Sequence, residues 1–176
     1  MHVLAEADVW CRPALSRADL EAYRAGIRLW IDEIKPIVIM TERRIVNERR
    51  QNTGRIDLLA VIEGDVTVVD WKSGSEGVGH GILLAGYESL IQADPDVCRA
   101  IREKTGAPPP TRLKRLNVYL PGNGLYQQRW RTDLHEHYLW QSALALVQWR
   151  HSVGYLKHVD PAVPIDDVPI DTDLPF

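Results

Sequence analysis

Leu20, Tyr23, Ile27, Trp30, Ile31 and Ile34 recur three or four residues apart. That spacing predicts one apolar face of a helix, opened near Ser16 with Asp19 three residues on and stopped by Pro36. The period then shortens. Ile37 to Val46 reads as a strand and Asn47 to Thr53 as a polar loop. Gly54 to Glu63 and Val66 to Lys72 are β-branched, apolar runs that turn back on each other. Helices are expected near 80–92 and 95–105, followed by a break at Pro108-Pro109-Pro110. Arg112 to Leu120 predicts a strand, Pro121-Gly122-Asn123-Gly124 a turn, and 125–130 another strand. A long helix over about 132–152 closes the body, and no internal repeat is evident.

The paired runs at 54–63 and 66–72 carry two carboxylates and a lysine where apolar flanks predict burial. A buried charge costs several kcal/mol unless it is paired or binds a metal, roughly the penalty left after relaxation. A two-residue loop at Gly64-Asp65 would form a type II′ turn. It would set Glu63 opposite Val66, Lys72 opposite Asp57, and Asp70 opposite Leu59. Strand alternation then projects Asp57, Asp70 and Lys72 from one face and Trp71 from the other. A three-residue loop without a bulge would move Asp57 to the opposite face. Two carboxylates beside an amine suit metal-dependent phosphodiester hydrolysis. Mg²⁺ and Mn²⁺ take oxygen ligands, and a lysine can position water, deprotonate it or stabilise charge. The residues leave those lysine roles open.

The pattern Gly54-x-x-Asp57 followed by Asp70-x-Lys72-Ser73-Gly74 resembles the PD-(D/E)XK nuclease superfamily, especially its RecB-like and phage exonuclease branch. The resemblance implies an α/β (α+β) restriction-endonuclease-like αβββαβ core, a mixed central sheet flanked by helices. It also implies a Mg²⁺- or Mn²⁺-dependent deoxyribonuclease, exonucleolytic as in that branch, serving recombination, repair or phage DNA processing. Asp57 and Asp70 match the two acids and Lys72 the lysine. Metal ligands would be Asp57, Asp70, the Trp71 carbonyl and an upstream glutamate, for which Glu42 is better placed than Glu48. Tyr87 matches the tyrosine of a Gln-x-x-x-Tyr signature, with Leu83 at the glutamine position. Tyr87, Arg55 and Arg44 are the expected substrate contacts. The architecture covers roughly 16–130, and the specific motifs only 42–87.

Composition permits a single domain over 1–158: 176 residues with 45% hydrophobic content can bury a substantial core. No stretch approaches the ~20 apolar residues of a membrane span, and no signal peptide is evident. Two cysteines, Cys11 and Cys98, provide neither a disulfide framework nor the four ligands of an iron–sulfur cluster. These features lead us to expect a cytoplasmic protein of a bacterial or phage-infected cell, with DNA and not a membrane as partner.

The net charge of −3 hides an asymmetry. Residues 160–176 hold five of the 24 acidic residues and no basic one, so the remainder has 19 acids against 21 bases. Arg43-Arg44, Arg49-Arg50 and Arg55 flank the candidate site, and Arg112, Lys114 and Arg115 form a second group able to hold phosphates or to be plain solvated surface. Residues 159–176 read as a flexible acidic tail. Its end, Asp173-Leu174-Pro175-Phe176, resembles the C-terminal tip of bacterial single-stranded DNA-binding protein. That resemblance implies binding of repair proteins through the terminal ring and carboxylate, and an alternative reading of the whole chain as a nuclease-like binding module. An acidic terminus that only aids solubility, or one that folds back on the basic site, fits the same residues.

Three further features read as structural. His135-Glu136-His137 cannot hold zinc from i and i+2 positions and is expected to be exposed polar surface. Trp30, Trp71, Trp130, Trp140 and Trp149 sit in apolar patterns and are expected in the core. Gly74 to Gly79 lacks the lysine of a phosphate-binding loop and reads as a flexible connection.

Overall fold

A computed structural model describes residues 17–154 of the chain. The predicted cap at Ser16, Cys11 and the acidic tail including Asp173–Phe176 lie outside the described residues. The elements in order are α1 (Arg17–Ile34), β1 (Ile37–Asn47), β2 (Asn52–Ile62), β3 (Asp65–Ser73), α2 (His80–Ala93), α3 (Pro95–Thr105), β4 (Lys114–Leu120), β5 (Gln127–Trp130) and α4 (His135–Ser152). This is an α+β architecture with a restriction-endonuclease-like order of elements. The five strands lie side by side as β1-β2-β3-β4-β5. The first three form an antiparallel meander, β4 runs parallel to β3 after the α2–α3 crossover, and β5 returns antiparallel.

Alternation divides the core into two layers. On one face Ile45, Leu59, Val66 and Val68 meet Leu84, Leu90 and Ile91 of α2 and Val97 and Ile101 of α3. On the other, Leu58, Ala60, Ile62, Val69, Leu116 and Val118 cover Trp30 of α1. Trp71 joins this second layer and meets Trp30 edge to face, ring centroids 5.0 Å apart. α4 packs across α2, with Trp140 over Gly86.

Local chemistry sets the boundaries. Lys35 takes a left-handed φ of 51° and its N–H returns to Ile31 O at 2.8 Å, closing α1 before Pro36. Asp94 caps α3 by accepting from the N–H groups of Asp96 and Val97, Pro95 occupies the first turn, and Gly106 ends it in the left-handed region.

The hairpin between β2 and β3 differs from expectation. Its loop is Glu63-Gly64, with φ of 52° and 88°, a type I′ turn in place of the II′ turn expected at Gly64-Asp65. Ile62 pairs with Asp65, Val61 with Val66, Leu59 with Val68 and Leu58 with Val69. The expected register would have set the buried Leu59 against Asp70. The observed one matches apolar residues across the ladder, which outweighs the strain of Glu63 at positive φ. The slip is two residues, so every side chain keeps its face.

Other expectations also change. Trp130 and Trp149 are exposed and Trp140 is half-buried, leaving Trp30 as the fully buried tryptophan among the described residues. Leu20 and Ile31 of the predicted α1 stripe are exposed as well.

Candidate functional site

The observed register brings the acids to one level of the sheet. Extending the β2–β3 ladder by one step past Leu58 and Val69 sets Asp57 opposite Asp70. On the other side, the β1–β2 ladder passes from Thr41–Leu58 to Arg43–Ile56, skipping Glu42 and Asp57. Glu42 itself has φ of 50°. Backbone pairing is therefore interrupted on both sides of Asp57. Its side chain takes over on the β3 side: Oδ2 accepts the Trp71 N–H at 2.9 Å. In an extended strand the N–H and C=O of one residue point to the same edge, so the Trp71 carbonyl faces the same gap.

Asp70 is 2% exposed and Lys72 22%. Lys72 Nζ lies 3.0 Å from Asp70 Oδ1 and 2.8 Å from Oδ2, so the lysine pairs with Asp70 and not with Asp57. Behind Asp70, Asn117 Nδ2 donates to Oδ2 at 2.9 Å. Burial pushes the Asp57 carboxyl above its ordinary value; the Trp71 N–H opposes this, Asp70 and Glu42 add to the rise, and Lys72 counters them. Tyr87 on α2 is pushed up to about 12 by burial and then by Asp70 and Asp57, which keeps its phenol protonated.

Glu42 is not brought into this group. Its Oε2 lies 2.6 Å from Arg55 Nε in an exposed ion pair, and no cluster of three metal-ligating side chains is assembled among the described residues. Arg44 and Arg55 face each other across β1 and β2, both exposed. Of the second basic group, Arg112 and Lys114 are exposed, whereas Arg115 is buried. Its guanidinium contacts Glu88 at 3.5 Å, Glu136 at 2.8 Å and the Asp133 carbonyl at 2.9 Å. Alternation along β4 turns it inward, so it is not a phosphate contact. The expectation of exposed polar surface at His135-Glu136-His137 holds for His135 and fails for the next two residues, since Glu136 holds Arg115 and His137 Nε2 lies 2.9 Å from Glu88.

Several site residues were missed from sequence. Asn117 is a lone amide in the apolar strand Leu116-Asn117-Val118-Tyr119-Leu120, and that interruption was the available signal. Arg131, Tyr119, His80 and Glu76 join it in one hydrogen-bonded chain and carry no motif. His80 is pushed below its ordinary value by burial and by Lys72, against the pull of Asp70, while Arg131 lowers it further and Glu76 raises it. A cavity of about 510 Å³ at the end of β3 is lined by Tyr23, Ser73, Glu76 and His80. Another, of about 620 Å³, lies between the β1–β2 connection, α2 and α4, with Arg49, Arg50 and His137 in its wall.

No family model matches the chain. No curated protein matches it. Among solved structures it is similar to LHK-Exo in complex with dAMP, at 18% identity over 81% of this chain and 77% of that one, with a TM-score of 0.31. A likeness of that degree bears on neither the site nor its chemistry.

Proposed function

We propose that this chain is a divalent-metal-dependent deoxyribonuclease of the PD-(D/E)XK type. The observation that carries the reading is the placement of Asp57 and Asp70 at one level of adjacent strands, with the Lys72 ammonium within 3.0 Å of Asp70. Hard divalent cations take one or two carboxylates and complete their shell with water, carbonyl and phosphate oxygens. Asp57, Asp70 and the Trp71 carbonyl fit that donor set. The fit has an energetic side, because Asp57 is raised partly by repulsion from Asp70, which a cation would relieve.

When bound, Mg²⁺ or Mn²⁺ supplies a water of lowered pKa and positive charge against the charge that builds on phosphorus. Asp57 and Asp70 would hold it, with Glu42 joining only after release from Arg55. Lys72, freed from Asp70, would offer its ammonium to the attacking water or a phosphate oxygen. Tyr87 stays protonated and can donate to phosphate. Arg44 and Arg55 would meet the strand on the exposed side of β1 and β2.

A time course on end-labelled linear DNA and covalently closed circular DNA, with Mn²⁺ and with EDTA, tests the reading. Cleavage with Mn²⁺, lost in Asp70→Asn and in Lys72→Ala, supports it; equal activity in either variant removes the mechanism. Degradation confined to linear DNA assigns an exonuclease, and an RNA arm settles the sugar preference. The alternative role for Asp173–Phe176 is tested by pull-down with and without residues 171–176.

A further inference from the structure

Asp70 is anchored from the buried side by side chains that belong to no sequence motif. Asn117, fully buried, gives its amide N–H to Asp70 Oδ2 at 2.9 Å. Its Oδ1 accepts from Arg131 Nε at 2.9 Å. Arg131 is itself largely buried and fixed at both ends of its guanidinium. Nη2 donates to Tyr119 Oη at 2.8 Å and Nη1 pairs with Glu76 at 2.8 Å. Tyr119 Oη lies 3.1 Å from His80 Nδ1, which also accepts the Gly77 N–H at 3.1 Å.

Two properties of this chain go beyond filling a polar core. The first is direction. A primary amide can turn over with little change of shape, and what fixes it is the character of its neighbours. Arg131 has only donors and Asp70 only acceptors. A flipped Asn117 would set N–H against guanidinium and oxygen against carboxylate. Arg131 therefore dictates that a donor faces Asp70.

The second property is the division of labour between the two oxygens of Asp70. Lys72 contacts both and is the partner nearer solvent, whereas Asn117 holds Oδ2 alone, from beneath. When Lys72 withdraws, Asn117 still pins Oδ2. The carboxylate then keeps its rotamer and leaves Oδ1 free.

We infer that Asn117, with its amide set by Arg131, is a positioning residue that fixes the Asp70 carboxylate to receive a cation. The inference rests on the nuclease reading, and it names a supporting residue on a strand that carries none of the motif. Groups of this kind around metal ligands typically contribute about 10–100-fold in affinity or activity.

The test is Mn²⁺ affinity by calorimetry, with kcat and KM on linear DNA, for the wild type, Asp70→Asn, Asn117→Ala, Arg131→Gln and Arg131→Lys. Melting in EDTA identifies the variants that fold. Asn117→Ala and Arg131→Gln are expected to bind Mn²⁺ about 10-fold more weakly, with kcat reduced and KM for DNA unchanged. Arg131→Lys, which still presents a donor to Oδ1, recovers part of the loss. Should Asn117→Ala not fold, the two Arg131 variants carry the comparison. Folded variants matching a Mn²⁺-binding wild type in affinity and kcat would overturn the positioning role alone. A wild type that binds Mn²⁺ no better than Asp70→Asn would overturn the nuclease reading and this role with it.

Discussion

Asp57 accepts the Trp71 N–H through Oδ2 at 2.9 Å, at the point where the β2–β3 ladder has run out of main-chain pairs. The carboxylate does the work of a strand carbonyl, and in doing so lies in a half-buried position that disfavours its charge. Burial raises its pKa first, and Asp70 and Glu42 add repulsion. A raised pKa means that the folded state holds the proton more tightly than the unfolded chain. The stabilising contribution is then complete below the ordinary value of 3.8 and is lost as pH climbs through the folded value. At neutral pH the ionised group opposes folding. Asp57→Asn keeps an acceptor for Trp71 and removes the charge. It should raise the melting temperature in EDTA at pH 7 by a few degrees, with the gain shrinking toward pH 4, while cleavage disappears. A scan of melting temperature against pH for both proteins decides the point; an asparagine variant that melts lower at pH 7 contradicts the argument.

The Lys72–Asp70 pair leads to a different stability prediction. Asp70 is 2% exposed, so removing its ammonium partner strands a charge that, among the described residues, Asn117 alone still hydrogen-bonds. Breaking a buried pair from one side costs about 3–5 kcal/mol, and the remaining amide contact places Lys72→Ala toward the lower end. A divalent cation restores the missing charge, and in this variant it displaces no lysine. Mn²⁺ should therefore raise the melting temperature of Lys72→Ala more than that of the wild type. Calorimetry with Mn²⁺ and with EDTA measures both shifts, and equal shifts would mean that the cation does not reach Asp70.

Gly54 marks where an added side chain forces its neighbours to move. A Cβ there would come within 2.8 Å of Leu90 Cδ1 and 2.9 Å of Tyr87 Cε1. Both neighbours are side chains, so they can yield, but Leu90 is fully buried and Tyr87 packs against the same core. Gly54→Ala should cost about 1–3 kcal/mol through overpacking. Because Tyr87 is the group that moves, kcat should fall further than stability does. Denaturant titration and single-turnover cleavage separate the two effects; a fully active, destabilised variant would show that Tyr87 has no part in the reaction.

The elements with strong local signals could be read from the chain alone. The third helix was expected at 95–105 and spans those residues, because Asp94, Pro95 and Gly106 punctuate it. The hairpin turn lies one residue from the position expected for it, which slips the pairing register by two. Gly64-Asp65 and Glu63-Gly64 are both credible turns, and only cross-strand matching of Leu59 with Val68 separates them. Asp57, Asp70 and Lys72 survived that error because an even slip preserves faces. Glu42 did not join them, since its positive φ and its Arg55 partner leave no imprint on hydrophobic periodicity. Nor did α4 declare its faces. Apolar residues surround that helix, and Tyr138, Leu139, Leu146 and Trp149 proved to be outside. Asn117 and Arg131 meet only after β3, β4 and the end of β5 are folded together.

Arg115 separates structural from substrate-facing charge. At 3% exposure it lies among Glu88, Glu136 and two main-chain carbonyls, and His137 approaches Glu88 from α4. This cluster joins α2, β4 and α4. Arg115→Ala would leave two carboxylates without their shared cation, a loss of about 3–5 kcal/mol. Its effect on DNA binding should vanish once folding is restored, for example by lower temperature. Arg44→Ala makes the opposite case. Arg44 is exposed beside Arg55 and within the sheet edge that leads to Asp57. Its removal should leave stability within about 0.5 kcal/mol of the wild type. DNA affinity should weaken, and the slope of log affinity against log salt should fall by about one unit if the side chain neutralises one phosphate. Titrations at several salt concentrations with catalytically silent Asp70→Asn as background measure both. An unchanged slope in Arg44→Ala would remove β1 from the DNA path, and a reduced slope in folded Arg115→Ala would show that the buried arginine reaches DNA after all.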